Sequence, residues 1–346
     1  MRFTHRGVIV VSVALAGLAP AAAQAMGATP SVSAGAGAAP PGNHCLHVAA
    51  TIPLGGVAFG IAVNPKTDTA YVANGGNVSV IDGRTDTVAA TIHLGGAPFA
   101  VAVNPKTDTI YATHGNIASG SVAVINGRTN TVAADISAGG SPFGDLAGIA
   151  VNPKTNTVYV TSFLADVVLV ISGRTNTVEA TIPVGGAPFG VAADPKTNTI
   201  YVANSGGDTV SVIDGRTNMV VATIPMGLGP VGVAVNPKTD TAYADTGING
   251  QGTLSVISGR TNAIVAAVPV GALPQQIAVN PKTRAVYVAN EGAGTGGTVS
   301  VVNGRTNTVA ATIPVGTAFG VAADPKTGTA YVSGVDTVSV IAPCLK

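Results

Sequence analysis

Two short phrases recur along the 346-residue chain, and their unequal numbers constrain the fold more than any other feature. The phrase NPKT, or its variant DPKT, begins seven times, at 64, 104, 152, 194, 236, 280 and 324. The phrase GRT begins six times, at 83, 127, 173, 215, 259 and 304. Both phrases are typical of tight turns, because Pro presets φ, Asn or Asp caps a turn and Gly accepts positive φ.

Each repeat contains four short runs rich in Val, Ile, Thr and Tyr, which predict four β-strands that we name a, b, c and d. In the first repeat the runs are 57–65, 69–74, 77–82 and 86–94. No stretch has a sustained 3.6-residue periodicity, so we expect almost no helix. Repeats of 40 to 48 residues that contain only strands are typical of β-propellers. The sequence therefore predicts an all-β, seven-bladed propeller with four antiparallel strands per blade.

The two chain ends explain why seven NPKT turns accompany only six GRT turns. The seventh repeat lacks a d-strand, because the chain ends in APCLK after its c-strand at 337–341. The segment 47–56, HVAATIPLGG, matches the d-strands of other repeats but precedes the first a-strand. We infer that this N-terminal strand completes the last blade. Cys45 and Cys344 would then flank the interrupted c–d turn, so we predict a disulfide between them.

The first 25 residues have the features of a signal peptide: a basic start, an apolar run, and AQA at 23–25 as a cleavage site. Residues 26–43 are predicted to be a flexible Gly/Ala/Pro linker, and residues 44–346 the propeller. The apolar run is short and rich in Ala and Gly for a membrane span, and an uncleaved anchor is the alternative. We expect a secreted, periplasmic or cell-surface protein with no transmembrane segment in the mature chain.

The b-strands begin with tyrosine, as YVAN at 71, 201 and 287, YVTS at 159 and YVSG at 331. Together with the NPKT and GRTN turns, these motifs resemble the YVTN-repeat β-propeller family over residues 47–341. The resemblance implies a seven-bladed propeller in a bacterial or archaeal surface or periplasmic setting. It implies little about function, because propellers carry binding, scaffolding and enzymatic roles. YATH at 111 and YADT at 243 depart from the motif.

Propeller topology allows the charged residues to be assigned to two faces. The a–b and c–d turns share one face, the turn face; the b–c loops and d–a links share the other, the loop face. All 15 Lys and Arg of the mature chain fall on the turn face with eight Asp, giving a net charge near +7. These charges either solvate the turns or dock an anionic surface such as a wall polymer. The turns lack aromatic residues for base stacking, which argues against nucleic acid.

The loop face contains acids but no Lys or Arg, and its loops differ most between repeats. It is expected to carry Asp145, Asp166, Asp208, Asp245, Glu291 and Asp336. Variable loops on a uniform scaffold favour recognition at this face. The candidate ligand-binding residues are His114, Asp145, Asp245, Glu291 and Gln275. Such groups can hold a divalent cation, but their spacing indicates none, so no metal or cofactor is predicted.

Phenylalanine occupies one shared position in five of the links before the a-strands, where Val231 and Gln275 stand in the other two repeats. We predict that these rings pack between blades rather than form a ligand cage. The five are Phe59, Phe99, Phe143, Phe189 and Phe319.

The leading functional hypothesis is a monomeric, exported, non-enzymatic propeller that binds a protein, glycan or small molecule on its acidic loop face. The alternative is a metal-assisted lyase or hydrolase at the channel mouth, although no catalytic residue is identifiable. A structural surface-layer role has little support in a short single-domain chain. Clustering of His114, Asp145 and Glu291 would favour the enzyme, and separation of the three would favour binding.

Overall fold

Each repeat folds into a sheet of antiparallel strands, and we call each such sheet a blade. The structure, a computed structural model, describes residues 45–116, 119–140, 145–247, 250–294 and 296–344. These residues form 27 strands and no helix. None of them belongs to a helix long and apolar enough to cross a membrane. The predicted signal peptide and the predicted linker lie outside the described residues.

The strands of blades 1 to 3 are β1 (Leu46–Asn64), β2 (Thr69–Asn74), β3 (Asn77–Asp82), β4 (Thr87–His93), β5 (Ala97–Asn104), β6 (Thr109–Asn116), β7 (Ser119–Asn126), β8 (Thr131–Gly140), β9 (Leu146–Asn152), β10 (Thr157–Ser162), β11 (Val167–Ser172) and β12 (Thr177–Pro183). The strands of blades 4 and 5 are β13 (Pro188–Asp194), β14 (Thr199–Asn204), β15 (Thr209–Asp214), β16 (Met219–Pro225), β17 (Val233–Asn236), β18 (Thr241–Thr246), β19 (Gly252–Ser258) and β20 (Ala263–Val270). Those of blades 6 and 7 are β21 (Pro274–Asn280), β22 (Ala285–Asn290), β23 (Gly297–Asn303), β24 (Thr308–Gly316), β25 (Gly320–Ala323), β26 (Ala330–Ser333) and β27 (Val335–Pro343).

Strand β1 belongs to two blades and closes the ring. Its first half, residues 46–53, pairs with β27 of blade 7, and its second half, residues 58–64, pairs with β2 of blade 1. Strands β25, β26, β27, β1, β2, β3 and β4 therefore form one continuous sheet, and the other five blades are separate four-stranded sheets. The predicted seven-bladed propeller, with its last blade completed by the N-terminal strand, is confirmed.

The predicted disulfide is also present beside this closure. Cys45 and Cys344 are bonded across a sequence separation of 299 residues, with their Cα atoms 5.2 Å apart. The backbone N–H of Cys344 also donates to the Cys45 carbonyl oxygen at 2.8 Å. Covalent and hydrogen bonds thus hold the two ends of the propeller together.

The hydrophobic core lies between neighbouring blades. The b- and c-strands are buried along nearly their whole length, whereas the outer d-strands expose most of their residues. Burial on both faces explains why the b- and c-runs are almost continuously apolar. Tyr111 and Val124 of blade 2, for example, pack in one cluster with Val158 and Ile171 of blade 3.

The tyrosine of the b-strand and the glycine of the next blade's GRT turn meet across four of the seams between blades. A Cβ atom at Gly173 of blade 3 would lie 2.8 Å from the hydroxyl oxygen of Tyr111 in blade 2. The same relation joins Gly83 of blade 1 to Tyr331 of blade 7, at 2.6 Å. A side chain at this glycine would collide with the neighbouring blade. The two recurring motifs are therefore two sides of one contact.

The first residue of the NPKT turn links neighbouring blades by a hydrogen bond at three seams. The bonds run from Asn64 Nδ2 to Asp108 Oδ1 at 2.7 Å, from Asn104 Nδ2 to Asn156 Oδ1 at 2.7 Å, and from Asn152 Nδ2 to Asn198 Oδ1 at 2.6 Å. Each acceptor residue has a φ between 56° and 60°. Asp and Asn tolerate this left-handed conformation better than other non-glycine residues.

Two seams lack this hydrogen bond because Asp replaces the donating Asn. Asp194 replaces the Asn at the seam between blades 4 and 5, and Asp324 replaces it at the seam between blades 7 and 1. Both aspartates are buried. Asp324 Oδ2 and Asp68 Oδ1 have no hydrogen-bond partner among the described residues. Burial, and next the nearby Asp324 carboxyl group, raise the pKa of Asp68. Two carboxyl groups therefore lie near each other where three other seams pair a side-chain amide with a side-chain oxygen.

Replacement of Asp324 by Asn should raise the free energy of unfolding by about 1–2 kcal/mol at pH 8, because Nδ2 can then donate to Asp68. A raised folded-state pKa gives stability that is lost as pH rises through that pKa. The gain should consequently be larger at pH 8 than at pH 4.5, and urea denaturation at both pH values measures it. The reciprocal control, Asn64→Asp, should destabilise the seam between blades 1 and 2. Equal stability of Asp324→Asn and wild type at pH 8 would contradict this account.

Candidate functional site on the loop face

Five phenylalanine rings touch one another around the propeller axis at the loop face. The ring centroids are 5.6 Å apart for Phe319 and Phe59, 5.2 Å for Phe59 and Phe99, 5.5 Å for Phe99 and Phe189, and 6.3 Å for Phe189 and Phe163. The rings come from blades 7, 1, 2, 4 and 3. Contact between blades 2 and 4, which are not neighbours, requires both side chains to point toward the axis. We call this set the phenylalanine arc.

Small residues after the phenylalanines let the a-strands approach closely enough for the rings to meet. A Cβ atom at Gly60 would lie 2.7 Å from the Ala100 Cα atom of blade 2. A Cβ atom at Gly190 would lie 2.5 Å from the Val231 carbonyl oxygen of blade 5. Real Cβ atoms do not make contacts this short, so a larger residue would push the strands apart. The close approach of strands is a recognised use of glycine.

The arc remains partly exposed. All five rings are half-buried, and Leu164 and Leu228 on the same face are 54% and 56% exposed. The prediction that the phenylalanines pack between blades is confirmed for Phe59, Phe99 and Phe319, whose rings contact one another across seams, and Phe99 also packs against the hydrophobic core. Phe143 lies outside the described residues. Phe163, in the loop after β10, was not predicted to belong to this site. Its position in a b–c loop, and therefore on the loop face, could have indicated it.

Blades 5 and 6 interrupt the arc with Val231 and Gln275. The side-chain amide of Gln275 donates to Glu291 Oε2 at 2.9 Å, and both residues are half-buried. The backbone N–H of Glu291 donates to the Leu273 carbonyl oxygen, which fixes the loop that carries the carboxylate. Gln275 and Glu291 are thus two predicted candidates that the structure brings together. They form the polar part of the channel mouth.

His114 and Asp145 have separate partners. His114 Nε2 is 2.9 Å from Asp135 Oδ1, and the His114 side chain is only 8% exposed. Because Asp135 lies on β8, the outermost strand of blade 2, the His114 ring points away from the axis. Asp145 is half-buried, and its carbonyl oxygen accepts the N–H of Phe163 at 2.9 Å. Asp145 therefore helps to hold one ring of the arc.

Asp245 lies inside the protein and not on the loop face, which corrects the sequence-based expectation. It belongs to β18 and is fully buried. Its Oδ1 accepts the N–H groups of Val231 and Gly232, each at 2.9 Å. The b-strand simply continues through this residue, and its side chain points toward the seam with blade 6.

Some other blades carry a hydroxyl group at the position of Asp245. Thr161 and Ser333 stand at the equivalent positions, and each hydroxyl donates to a carbonyl oxygen of the next blade. A Cβ atom at Gly232 would lie 2.6 Å from Asp245 Oδ2 and 3.0 Å from the Gln275 carbonyl oxygen of blade 6. Asp245 Oδ2 has no hydrogen-bond partner among the described residues, and only a protonated carboxyl group could donate a hydrogen bond from it. Burial raises the pKa of Asp245 to about 7, against two N–H donors that lower it.

The candidate residues therefore do not form one catalytic or metal-binding cluster. His114, Asp145 and Glu291 share no hydrogen bond or ion pair with each other. Among the described residues, no group of three or more His, Cys, Asp or Glu side chains is arranged to hold a metal ion. The described residues thus do not bring His114, Asp145 and Glu291 together as a metal-assisted lyase or hydrolase would require.

The charges around the phenylalanine arc are all negative. Asp166, Asp208 and Asp336 are exposed on the loop face, and Asp145 and Glu291 are half-buried beside the mouth. No Lys or Arg lies among the loop-face residues that the structure describes. The site is thus an aromatic surface surrounded by carboxylates.

The comparisons with known proteins address the fold. No protein-family model and no curated protein sequence matches the chain, so the resemblance to YVTN-repeat propellers rests on the repeat motifs themselves. A solved structure of hydrazine synthase from Kuenenia stuttgartiensis is similar, with a TM-score of 0.71 and 19% sequence identity. The match covers 88% of this chain and 99% of that chain. Similarity at this level of identity shows that the chain has a β-propeller fold.

Proposed function

We propose that this protein is an exported, non-enzymatic propeller that binds a protein partner at the channel mouth of its loop face. The observation that carries this proposal is the contiguous, half-buried phenylalanine arc surrounded by carboxylates. Apolar patches left open on a soluble protein mark interaction sites. Aromatic side chains are also enriched among the residues that dominate binding energy at protein interfaces.

The chemistry of the site specifies the kind of segment that fits it. An apolar side chain of the partner can pack on the rings of Phe59, Phe99 and Phe189. Lys or Arg residues that flank this side chain in the partner would lie near Glu291 and Asp145. No Lys or Arg among the described residues of the loop face would repel them. Charge complementarity of this kind speeds association and suppresses wrong partners. The expected ligand is therefore a polypeptide segment with an apolar centre and basic flanks.

Export is part of the proposal. Residues 1–25 are proposed as the signal peptide and residues 26–43 as a linker before the propeller. The disulfide between Cys45 and Cys344 supports an oxidising compartment, because such bonds are rare in reducing cytosol.

Short fluorescent peptides that differ in their centre and their flanks test the binding site. A peptide with a central Leu and flanking Lys should bind, as measured by fluorescence anisotropy. Peptides with a central Gly or with flanking Glu should bind at least about tenfold more weakly, because they lose the apolar anchor or the charge complementarity. The double variant Phe59→Ala/Phe99→Ala should lose at least about tenfold in affinity for the first peptide.

The matched control is Met219→Ala/Val221→Ala, which removes two exposed side chains from outer strand β16 and should leave peptide affinity unchanged. Circular dichroism and melting temperature confirm that each variant is folded. Retained affinity in the phenylalanine variant, or equal binding of Lys- and Glu-flanked peptides, would refute recognition at the mouth. Failure of every peptide to bind would count against a polypeptide ligand.

A further inference from the structure

We propose that the turn face carries a binding site for a linear phosphate polymer, centred on a groove between blades 1 and 2. This site lies opposite the phenylalanine arc and does not depend on the proposed function. The structure places the lysines of the a–b turns in an inner ring and the arginines of the c–d turns in an outer ring, because a-strands are innermost and d-strands outermost. All seven PKT lysines and all six GRT arginines are exposed.

Most of these cations have no acidic partner. Arg84 pairs with Asp82 at 2.9 Å, and Arg216 pairs with Asp214 at 3.0 Å. In the other four GRT turns the acid is replaced by Asn or Ser, and their arginines form no ion pair within the described part of the chain. The same holds for the seven lysines. Unpaired, exposed cations leave their charge available to a ligand.

The aspartates of this face lie deeper than the cations. Asp194 and Asp324 are buried, and Asp68 and Asp108 are half-buried at turn positions with positive φ. The described part of the turn face holds fourteen basic and eight acidic side chains, a net charge of +6. The outermost layer is therefore strongly positive, while the carboxylates are engaged in turns and seams below it.

A groove between blades 1 and 2 concentrates this charge. A cavity of about 400 Å³ is lined by Lys66 and Lys106 of neighbouring turns, by Arg128 and by Asp108. The Asp108 carboxylate already accepts a hydrogen bond from Asn64. A second cavity of about 290 Å³ adjoins the first through Arg128 and the same turn. The groove thus connects the inner ring with the outer ring.

The chemistry of the groove favours phosphate groups. Guanidinium groups match phosphate oxygens with paired hydrogen bonds, and lysines add point charges. Lysines and arginines also continue around the whole turn face. A single small anion cannot neutralise so many charges, whereas a flexible polyanion can bind along the whole ring. The turns present no exposed aromatic ring for base stacking within the described residues, and their exposed side chains are polar. A phosphate polymer without bases fits this surface better than nucleic acid or an inserted lipid bilayer.

Inorganic polyphosphate of defined length is the probe, with binding to the mature protein measured by calorimetry across a salt series. Lys66→Gln/Lys106→Gln/Arg128→Gln should weaken binding at least about 30-fold. It should also reduce the slope of log affinity against log salt by about 2, the value for three lost phosphate contacts. The charge-matched control, Lys154→Gln/Lys196→Gln/Arg216→Gln, removes three cations where the arginine is already paired and should weaken binding less than about 5-fold.

Equal losses in the two triple variants would overturn the groove as the site, and absence of polyphosphate binding would overturn the proposal altogether. Two further arms distinguish other partners. Tighter binding of single-stranded DNA than of polyphosphate, per phosphate, would show that bases are recognised. Tighter binding of phosphatidylglycerol vesicles would show a membrane surface instead. All substituted side chains are exposed, so the variants should melt like the wild type.

Discussion

The double substitution Cys45→Ser/Cys344→Ser should lower the free energy of unfolding by about 5 kcal/mol. The disulfide closes a loop of 299 residues, and the entropy that a crosslink removes from the unfolded chain grows with loop length. For a chain of this size the melting temperature should fall by on the order of 10 °C. Chemical denaturation of the mature protein measures the change directly. A loss below about 1 kcal/mol would mean that strand pairing alone closes the ring.

Reductant provides the control for this prediction. Addition of dithiothreitol should lower the stability of the wild type to that of the serine variant and should leave the variant unchanged. Hydrogen exchange should show where the difference originates, because the first half of β1 is held to β27 only by backbone hydrogen bonds and side-chain packing. In the serine variant, residues 46–53 should exchange faster than the equivalent d-strand β4. Uniform acceleration in all blades would point to global rather than local opening.

Replacement of Asp245 by Asn should raise the free energy of unfolding by up to about 4 kcal/mol at pH 8 and change it little at pH 4. Burial raises the pKa of Asp245 to about 7, whereas an unfolded Asp titrates near about 3.9. A group with a raised folded-state pKa stabilises the fold fully below its unfolded pKa. That stability is lost as pH rises between the two values. The wild type should thus weaken from pH 4 to pH 8, and the Asn variant should not.

Asn keeps the contacts that the structure shows for Asp245. Its Oδ1 can accept the N–H groups of Val231 and Gly232, and its Nδ2 can donate toward the Gln275 carbonyl oxygen without a bound proton. A second variant, Asp245→Thr, supplies the hydroxyl found at Thr161 and serves as the matched control. Urea denaturation of all three proteins from pH 4 to pH 8 measures the effect. Parallel pH profiles for wild type and Asn variant would show that Asp245 is not the group responsible.

The repeats made the architecture accessible from the sequence. Seven copies of one turn and six of another predicted the number of blades, the missing strand and its replacement by residues 47–56. Alignment of the copies also placed Cys45 against Cys344. These features are encoded locally, because each turn and each strand carries its own turn chemistry or apolar pattern, and identical copies must occupy equivalent places. The division of charge between the two faces follows from the same topology.

The candidate site depends on the directions in which individual side chains point, and the repeated motifs do not encode these directions. The sequence aligned four of the arc's phenylalanines but not their meeting at the axis, which arises because the a-strands converge there. Phe163 joins them from the b–c loop of blade 3, and no other b–c loop carries a phenylalanine. His114 turns outward to Asp135, and Asp245 turns inward to a seam, although both follow the same tyrosine motif.

The sequence by itself thus determined the fold, the closure of the ring and the face on which the Lys and Arg residues of the turns lie, because these depend on spacing and turn residues. The tertiary structure alone decided which side chains meet, which carboxyl groups are buried and which rings remain open to a partner. Those outcomes depend on the angle between neighbouring blades and on interatomic distances at the glycine contacts. The sequence of a single repeat specifies neither of them.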